Sequence, residues 1–435
     1  MEFKEYKLAD ITKKIYSGGT PSTREPSYWN GDLKWLSSGE TSNRFIMSTE
    51  KTITQKGVEN SSTKLAFKHD LVMASAGQGY TRGQTSFLKI DTYINQSLIA
   101  ISVNKDEIHP LYLFYNLVSR YDELRQISDS SSTRGSINTK MIKNLNIMIP
   151  EKIYQNRIVY LINSIDEKIE INKKIIANLE ELSQTLFKRW FVDFEFPDEN
   201  GNPYKSSGGE MIDSELGNIP RDWEVNELGN YVDIIKGLSY KGAFLDKQHE
   251  RSDSFPLLSI SNFNFISGFK SNKTKYYFGD YKERHLVNPG DILIAATDLT
   301  QDRKILGAPA IIPNLNKTMI FSLDVFKITE TTIPKYVLYF LLQSAKYREF
   351  VEGSATGTTV IRIAKNVILK VPIVIDKDIS LKFDNLIKPY MEKIEHLSQE
   401  NQKLTQLRDT LLPKLMSGEI EIPDDIEVNE DELSI

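Results

Sequence analysis

Apolar residues in this chain keep two different spacings, and the change from one to the other is written out twice. Residues 6–150 and 223–375 carry short apolar runs between turn residues, the pattern of strands. Tyr6-Lys-Leu-Ala-Asp-Ile11 is echoed by Trp223-Glu-Val-Asn-Glu-Leu228. Each enters a glycine-containing turn, Ser17-Gly-Gly-Thr20 in one copy and Lys236-Gly-Leu-Ser239 in the other. Asp70-Leu-Val-Met-Ala74 and Gly290-Asp-Ile-Leu-Ile-Ala295 then predict buried strands, each followed by a polar loop. A further apolar strand comes next, at 93–103 and 319–328. A short helix starts near His109-Pro110 and near Ile333-Pro334, where proline suits a first turn. A Ser/Thr/Gly-rich loop follows, at 128–136 and 353–359. Each copy closes on an apolar strand ending in Pro150 or Pro372.

Beyond each proline the spacing becomes heptad-like. Ile162, Ile165, Ile169, Asn172, Ile176, Leu179 and Leu186 form one seam; Tyr390, Ile394, Leu397, Asn401, Leu404 and Leu411 form the other. Sustained 3/4 spacing predicts coiled-coil helices. About 35 residues each gives roughly 50 Å, too long for a lone helix in a small domain, so the two are expected to pack on each other. Asn172 and Asn401 would fix their register at some cost in stability. The fold class is therefore α+β: two similar αβ domains separated by two long helices packed as an antiparallel coiled coil, a pseudo-twofold internal repeat. The expected divisions are 1–150, a helical region 151–192, an acidic linker 193–222, a second domain 223–375, a second helical region 376–418 and an acidic tail 419–435. Domains held apart in this way would act as a caliper on two half-sites of duplex DNA, whose groove recurs about every 34 Å. Because the loops of the two copies differ, the half-sites should differ too.

Charge at first opposes that reading, since the net value is −5. Its distribution removes the objection. The tail 419–435 has eight acids and no base, and 193–224 has nine acids against Lys205 and Arg221; setting both aside leaves +10 on the remainder. Such a body tolerates phosphate contacts without proving them. Cysteine is absent, which removes disulfides and thiolate metal sites and suits a reducing cytoplasm. No apolar run reaches membrane-spanning length, and the N-terminus lacks the apolar block of a secretory signal, so a cytoplasmic protein is expected.

Several short runs resemble one family. Gly18-Gly-Thr-Pro-Ser22, Tyr28-Trp-Asn-Gly31 and Trp35-Leu-Ser look like the opening of a target-recognition domain in type I restriction-modification specificity subunits. Glu215-Leu-Gly-Asn-Ile-Pro220-Arg-Asp-Trp223 resembles the entry to the second such domain, and Leu407-Arg-Asp-Thr-Leu-Leu-Pro413 through Gly418 the second helical region. The second copy lacks the Gly-Thr-Pro-Ser and Tyr-Trp-Asn-Gly runs, so individual residues of that opening do not transfer to it. The resemblance implies a non-catalytic subunit that reads a bipartite, asymmetric site in double-stranded DNA. It implies two methyltransferase subunits docked on the helices, which bind S-adenosylmethionine while this chain binds no cofactor. Two restriction/translocase subunits would be able to join them.

The search for catalytic chemistry agrees with a non-catalytic chain. His69, His109, His249, His285 and His396 are scattered, without metal-ligand spacing. Gly237 to Gly242 continues with Ala243 instead of the phosphate-binding lysine, and Asn202-Pro-Tyr204 is one proline short of an amino-methyltransferase loop. No metal and no catalytic residue is expected. Candidate DNA contacts in the first domain are Gln78, Tyr80, Thr81, Arg82, Gln84, Ser132, Thr133 and Arg134. In the second they are Lys275, Tyr277, Arg284, Thr300, Gln301, Arg303, Lys304, Thr356, Thr358 and Arg362. Arg and Gln offer two-point bonding to guanine and adenine edges, whereas Ser and Thr more often reach phosphate; the bland reading of any one is a solvated loop residue. Leu186, Phe187, Trp190 and Phe191 form an aromatic cluster expected to anchor a partner. Two other classes stay open: a coiled-coil adaptor for proteins, disfavoured by polar loops, and an enzyme, disfavoured by the missing motifs.

Overall fold

The repeat in the sequence is a repeat of strand pairing. A computed structural model describes residues 2–77, 79–129, 135–271, 273–423 and 428. It divides into two compact units, residues 1–172 with 400–435, and residues 173–399.

The strands of the first unit are β1 (Phe3–Lys7), β2 (Thr12–Ser17), β3 (Trp29–Leu36), β4 (Phe45–Ile46), β5 (Lys51–Ile53), β6 (Lys64–Ala66), β7 (Leu71–Ala74), β8 (Thr85–Leu88), β9 (Thr92–Ile94), β10 (Leu98–Val103) and β11 (Asn146–Pro150). Its short helices are α1 (Gln55–Glu59), α2 (Pro110–Ser119), α3 (Tyr121–Asp129) and α4 (Thr139–Lys143), before the 40-residue α5 (Lys152–Phe191). One sheet has the order β2-β10-β7-β8-β4 and a second β5-β3-β9-β6, in which the central β3–β9 pair is parallel; β1 pairs with β11. The run Leu71-Val-Met-Ala74 is apolar throughout because it is buried on both faces. Pro110 opens α2, and Nδ1 of His109 accepts from the Leu111 N–H at 3.2 Å as its cap.

In the second unit the strands are β12 (Met211–Ile212), β13 (Ile219–Pro220), β14 (Glu224–Glu227), β15 (Val232–Lys236), β16 (Phe255–Leu258), β17 (Lys275–Tyr277), β18 (Leu286–Val287), β19 (Ile292–Ala295), β20 (Thr297–Asp298), β21 (Pro309–Ile311), β22 (Met319–Phe321), β23 (Val325–Thr331), β24 (Ile361–Arg362) and β25 (Pro372–Ile375). Helices α6 (Lys335–Leu341), α7 (Ala345–Gly353), α8 (Lys365–Leu369) and the 41-residue α9 (Lys377–Ser417) complete the chain. The sheets β15-β23-β19-β21 and β17-β16-β22-β18, the latter again with a parallel central pair, repeat the first unit's order, and β14–β25 repeats β1–β11.

Each unit contains an antiparallel stretch of both long helices. In the first, Asn172 of α5 donates its amide to Asn401 Oδ1 (3.0 Å) and Glu400 Oε2 (2.7 Å) of α9, so the asparagines expected at the seam do meet. Asp166 of α5 accepts from Arg408 of α9 (2.6 Å) and from Arg44 (3.2 Å), a nearly buried cluster that ties the sheet domain to both helices. In the second unit Phe187, Trp190 and Phe191 of α5 pack edge-on against Phe383 of α9.

Two features of the units bear on the expected divisions. The division falls inside the helices, because each half-helix packs within one unit's core. The acidic stretch 193–222 is a folded strap rather than a plain linker. Phe194, Phe196 and Ile219 lie in the second unit's core, Phe196 stacks between Tyr204 and Trp223, and β12 pairs with β13. Its aromatics turn in, while Glu199, Glu210, Asp213, Glu215 and Asp222 are exposed. No helix among the described residues is long and apolar enough to cross a membrane.

Candidate nucleic-acid interface

The polar loop after each aspartate-opened strand is built by the same devices. In the first unit it runs from β7 to β8 and closes at Gly83, whose φ of +88° only glycine adopts readily; its N–H donates to Ala74 O at 2.9 Å. In the second it runs from β19 to β21 and closes at Gly307, φ +73°, whose N–H donates to Ala295 O at 2.8 Å.

A helix behind each loop grips it. Arg125 of α3 donates to Gly79 O (2.6 Å), and Tyr121 Oη donates to Tyr80 O (2.6 Å). Arg348 of α7 donates to Arg303 O (2.9 Å) and to Leu306 O. The loops grip back: Arg82 reaches Gly135 O (2.8 Å) and pairs with Asp129, while Arg303 reaches Glu352 O (2.5 Å). Within the second loop the buried Asp298 is the hub, accepting from Thr300 N–H (2.7 Å), Thr300 Oγ1 (2.8 Å) and Ile305 N–H (2.8 Å).

These contacts sort the candidates. Arg82 is only 5% exposed and braces its own loop through Gly135 O and Asp129. Arg303 does the same work, and Tyr277 is buried beneath its sheet. Gln84 is half-buried and accepts from Thr41 Oγ1 at 3.2 Å. Thr81 lies half-buried beside Tyr80, which is exposed. Gln78, Ser132, Thr133 and Arg134 lie outside the described residues. The second unit gathers its two predicted loops: Gln301 Nε2 donates to Thr358 O (2.7 Å), β20 pairs with β24, and Thr356 and Arg362 exchange backbone hydrogen bonds. Thr300, Gln301, Lys304, Thr356, Thr358 and Arg362 are exposed around that junction. Lys275 donates to Tyr240 Oη (3.1 Å) on a neighbouring sheet.

Arg284 leads to residues that sequence reasoning missed. It lines a shallow concavity with Lys236 and Lys365, and an adjoining one is lined by Lys236, Thr297 and Arg362. Four cations thus line these adjoining concavities, with the carboxylate of Asp324 beside Lys236 and Arg362. The only signal in the sequence was Lys236 at the repeated glycine turn. Beneath Arg284, His285 is held below the usual histidine range, first by burial and then by Arg284 and Lys282. A neutral ring lets one nitrogen accept from the Lys282 N–H or from Arg284 Nε, each 3.2 Å away, without adding charge under the cationic rim.

The aromatic cluster expected to anchor a partner packs largely within the unit, although Phe187 and Phe191 also line an open concavity with Val192 and Phe340. Phe187, Trp190 and Phe191 are buried among Phe340, Phe383 and Trp223, with Leu186 packed against them. No group of three His, Asp or Glu among the described residues is placed to hold a metal ion. The arrangement offers cations, amides and hydroxyls on braced loops, which is equipment for binding a polyanion.

Comparison with known proteins agrees with that geometry. Residues 1–181 match the family model for the type I restriction modification DNA specificity domain. The chain is 27% identical over 444 residues to the type I restriction enzyme MjaIX specificity subunit of Methanocaldococcus jannaschii, covering 97% of both chains. It is 23% identical over 484 residues to the HindI specificity subunit of Haemophilus influenzae, covering 96% of this chain and all of that one. The fold is similar to a crystal structure of the type I restriction-modification system S subunit from M. genitalium, with a TM-score of 0.56 at 13% identity over 98% of this chain and 97% of that one. Residues 1–181 thus match the DNA specificity domain of type I restriction-modification systems, and along nearly its whole length the chain is similar to the specificity subunits of those systems.

Proposed function

We propose that this chain reads a split, asymmetric DNA site, one half with the first unit's loops at 77–84 and 129–135, the other with the second unit's loops at 298–306 and 353–362. The observation that carries this reading is the twofold recurrence of one braced-loop design with different side chains: Tyr80 and Thr81 in one unit, and Leu299, Thr300, Gln301 and Lys304 in the other. A rigid scaffold with variable polar ends suits direct readout of base edges. The cationic rim of Lys236, Arg284, Arg362 and Lys365 supports phosphate contacts beside the second set.

The reading includes two methyltransferase subunits, carrying S-adenosylmethionine, docked on the outer faces of α5 and α9, with restriction subunits as further partners and the cytoplasm as the compartment. Exposed Ile175 and Leu182 on α5, and Leu381 and Leu386 on α9, support docking there in place of the buried aromatic cluster. The test is adenine-methylation sequencing of a host carrying this gene and its neighbouring methyltransferase gene, against a deletion of this gene. Loss of methylation at one split motif is the expected result. An unchanged pattern, with the methyltransferase active, would reject the DNA-reading role in favour of an adaptor.

A further inference from the structure

Each braced loop ends in one large apolar side chain that nothing in its own unit covers. Tyr80 is 83% exposed and Leu299 is 66% exposed. The two occupy matching places, after β7 and after β19, upstream of the positive-φ glycine that closes each loop. The sequence conceals the match, because the loops differ in length and the tips differ in type.

A side chain left in water by accident usually sits on backbone that can give. These do not. Tyr80 stands on a carbonyl held by Tyr121, beside Gly79, whose carbonyl is held by Arg125. Leu299 sits between Asp298, which binds three groups of the loop, and Thr300, which is one of its partners. The helix behind each loop anchors it through an arginine, and an arginine of the loop anchors it back. The molecule fixes the position of an apolar point.

What such a point meets follows from its surroundings. A protein interface needs a contiguous apolar patch of a few hundred Å²; the chain neighbours here are Thr81 in one unit and Thr300, Gln301 and Lys304 in the other, and beside Lys304 further exposed apolar side chains, Phe265 and Ile266, adjoin the loop. An apolar side chain at the tip of a stiff polar loop instead matches the gap between stacked base pairs, with its polar chain neighbours left to the groove edges and phosphates. Apolar wedges of this kind unstack a base step and kink the duplex. A stiff mount suits that task, because unstacking costs a few kcal/mol per step and a yielding loop would fold back instead.

We propose that Tyr80 and Leu299 are paired wedges, each entering a base step in the half-site read by its own unit and deforming the duplex there. This rests on the DNA-reading function above and adds how specificity is gained at positions without base-edge contacts: flexible pyrimidine–purine steps accept a wedge most cheaply.

The test uses the full chain assembled with its methyltransferase subunits, on a duplex carrying the motif returned by methylation sequencing. 2-Aminopurine is placed at each step except the methylated adenines, which methyltransferases themselves unstack. The intact complex should raise fluorescence at one further step in each half-site. Tyr80→Ala should abolish one signal and Leu299→Ala the other, each with about tenfold weaker binding, while Tyr80→Phe keeps its signal. Because both side chains are exposed, melting temperatures should not move. Signals that persist in the alanine variants at equal footprint occupancy overturn the wedges and leave the DNA reading intact. Weakened assembly of the Tyr80→Ala complex without DNA overturns them as a protein contact. Absence of any site-specific footprint by the intact complex rejects the DNA reading itself, and the wedges with it.

Discussion

At the scale of single residues, burial decides what a side chain is for, and sequence reports burial poorly in loops. Arg82 and Arg303 have the right chemistry for guanine edges, yet both spend their donors on backbone carbonyls. Tyr80 and Lys304 are exposed from equally polar runs. His69 shows the same rule with a measurable consequence. Its backbone is left-handed at φ +76°, its ring stacks on Phe87, and Nδ1 lies 3.5 Å from the Lys105 ammonium. Burial first, then Lys105, Lys68 and Lys89, hold its pKa down to about 4 from 6.5. The native state therefore binds fewer protons than the unfolded chain between those values. The stability this contributes is complete above about pH 6.5 and is lost as pH falls toward 4. His69→Asn, which tolerates the left-handed backbone, should melt less steeply with falling pH than the parent. Parallel melting curves from about pH 7 to 4 would place the acid sensitivity elsewhere.

At the scale of elements, legibility depended on periodicity. The long helices were readable because a 3/4 spacing held for some 25 residues, and the Asn172–Asn401 contact follows from two polar residues in one seam. Strands such as Leu71–Ala74 and Ile292–Ala295 were readable as bounded apolar runs. The packing of residues 193–222 was not legible because their acids dominate the composition, while Phe194, Phe196 and Ile219, the residues that fold the strap, show no period. The packing of the Leu186–Phe191 cluster was not legible for a related reason: an aromatic cluster at a helix end looks the same in sequence whether its cover is a partner or the chain's own Phe383 and Trp223. The clasp at Asp166 was not legible, since its three members lie 122 and 242 residues apart. Arg408 is pulled toward neutrality by burial, but Asp166 and Asp409 outweigh that and raise its pKa, so it stays charged. Asp166→Ala would leave Arg44 and Arg408 without their shared carboxylate and should cost about 3–5 kcal/mol, read as a shift in the urea midpoint of the first unit. A loss below about 1 kcal/mol would mean that water already screens the cluster.

At the scale of the molecule, the proposed DNA reading requires a chain of net charge −5 to bind a polyanion. The sequence resolves this by confining its acids, and the structure adds where cations gather, with Lys236, Arg284, Arg362 and Lys365 around one surface of the second unit. If these meet phosphates, each displaces condensed counterions, and affinity falls with salt by about 0.9 in the log–log slope per contact. Base-edge contacts contribute little to that slope, so salt separates the two kinds of residue where affinity alone does not. Lys236→Ala with Lys365→Ala should flatten the slope by roughly 1.8, weakening cognate and unrelated duplexes alike and leaving the methylated motif unchanged. Thr300→Ala with Gln301→Ala should do the reverse: the slope stays, and one half of the motif relaxes. Fluorescence anisotropy between about 50 and 200 mM salt, with methylation sequencing of the same variants, reads both. A lysine pair that alters the motif, or a Thr–Gln pair that alters only the slope, would exchange the roles assigned to the rim and the loop.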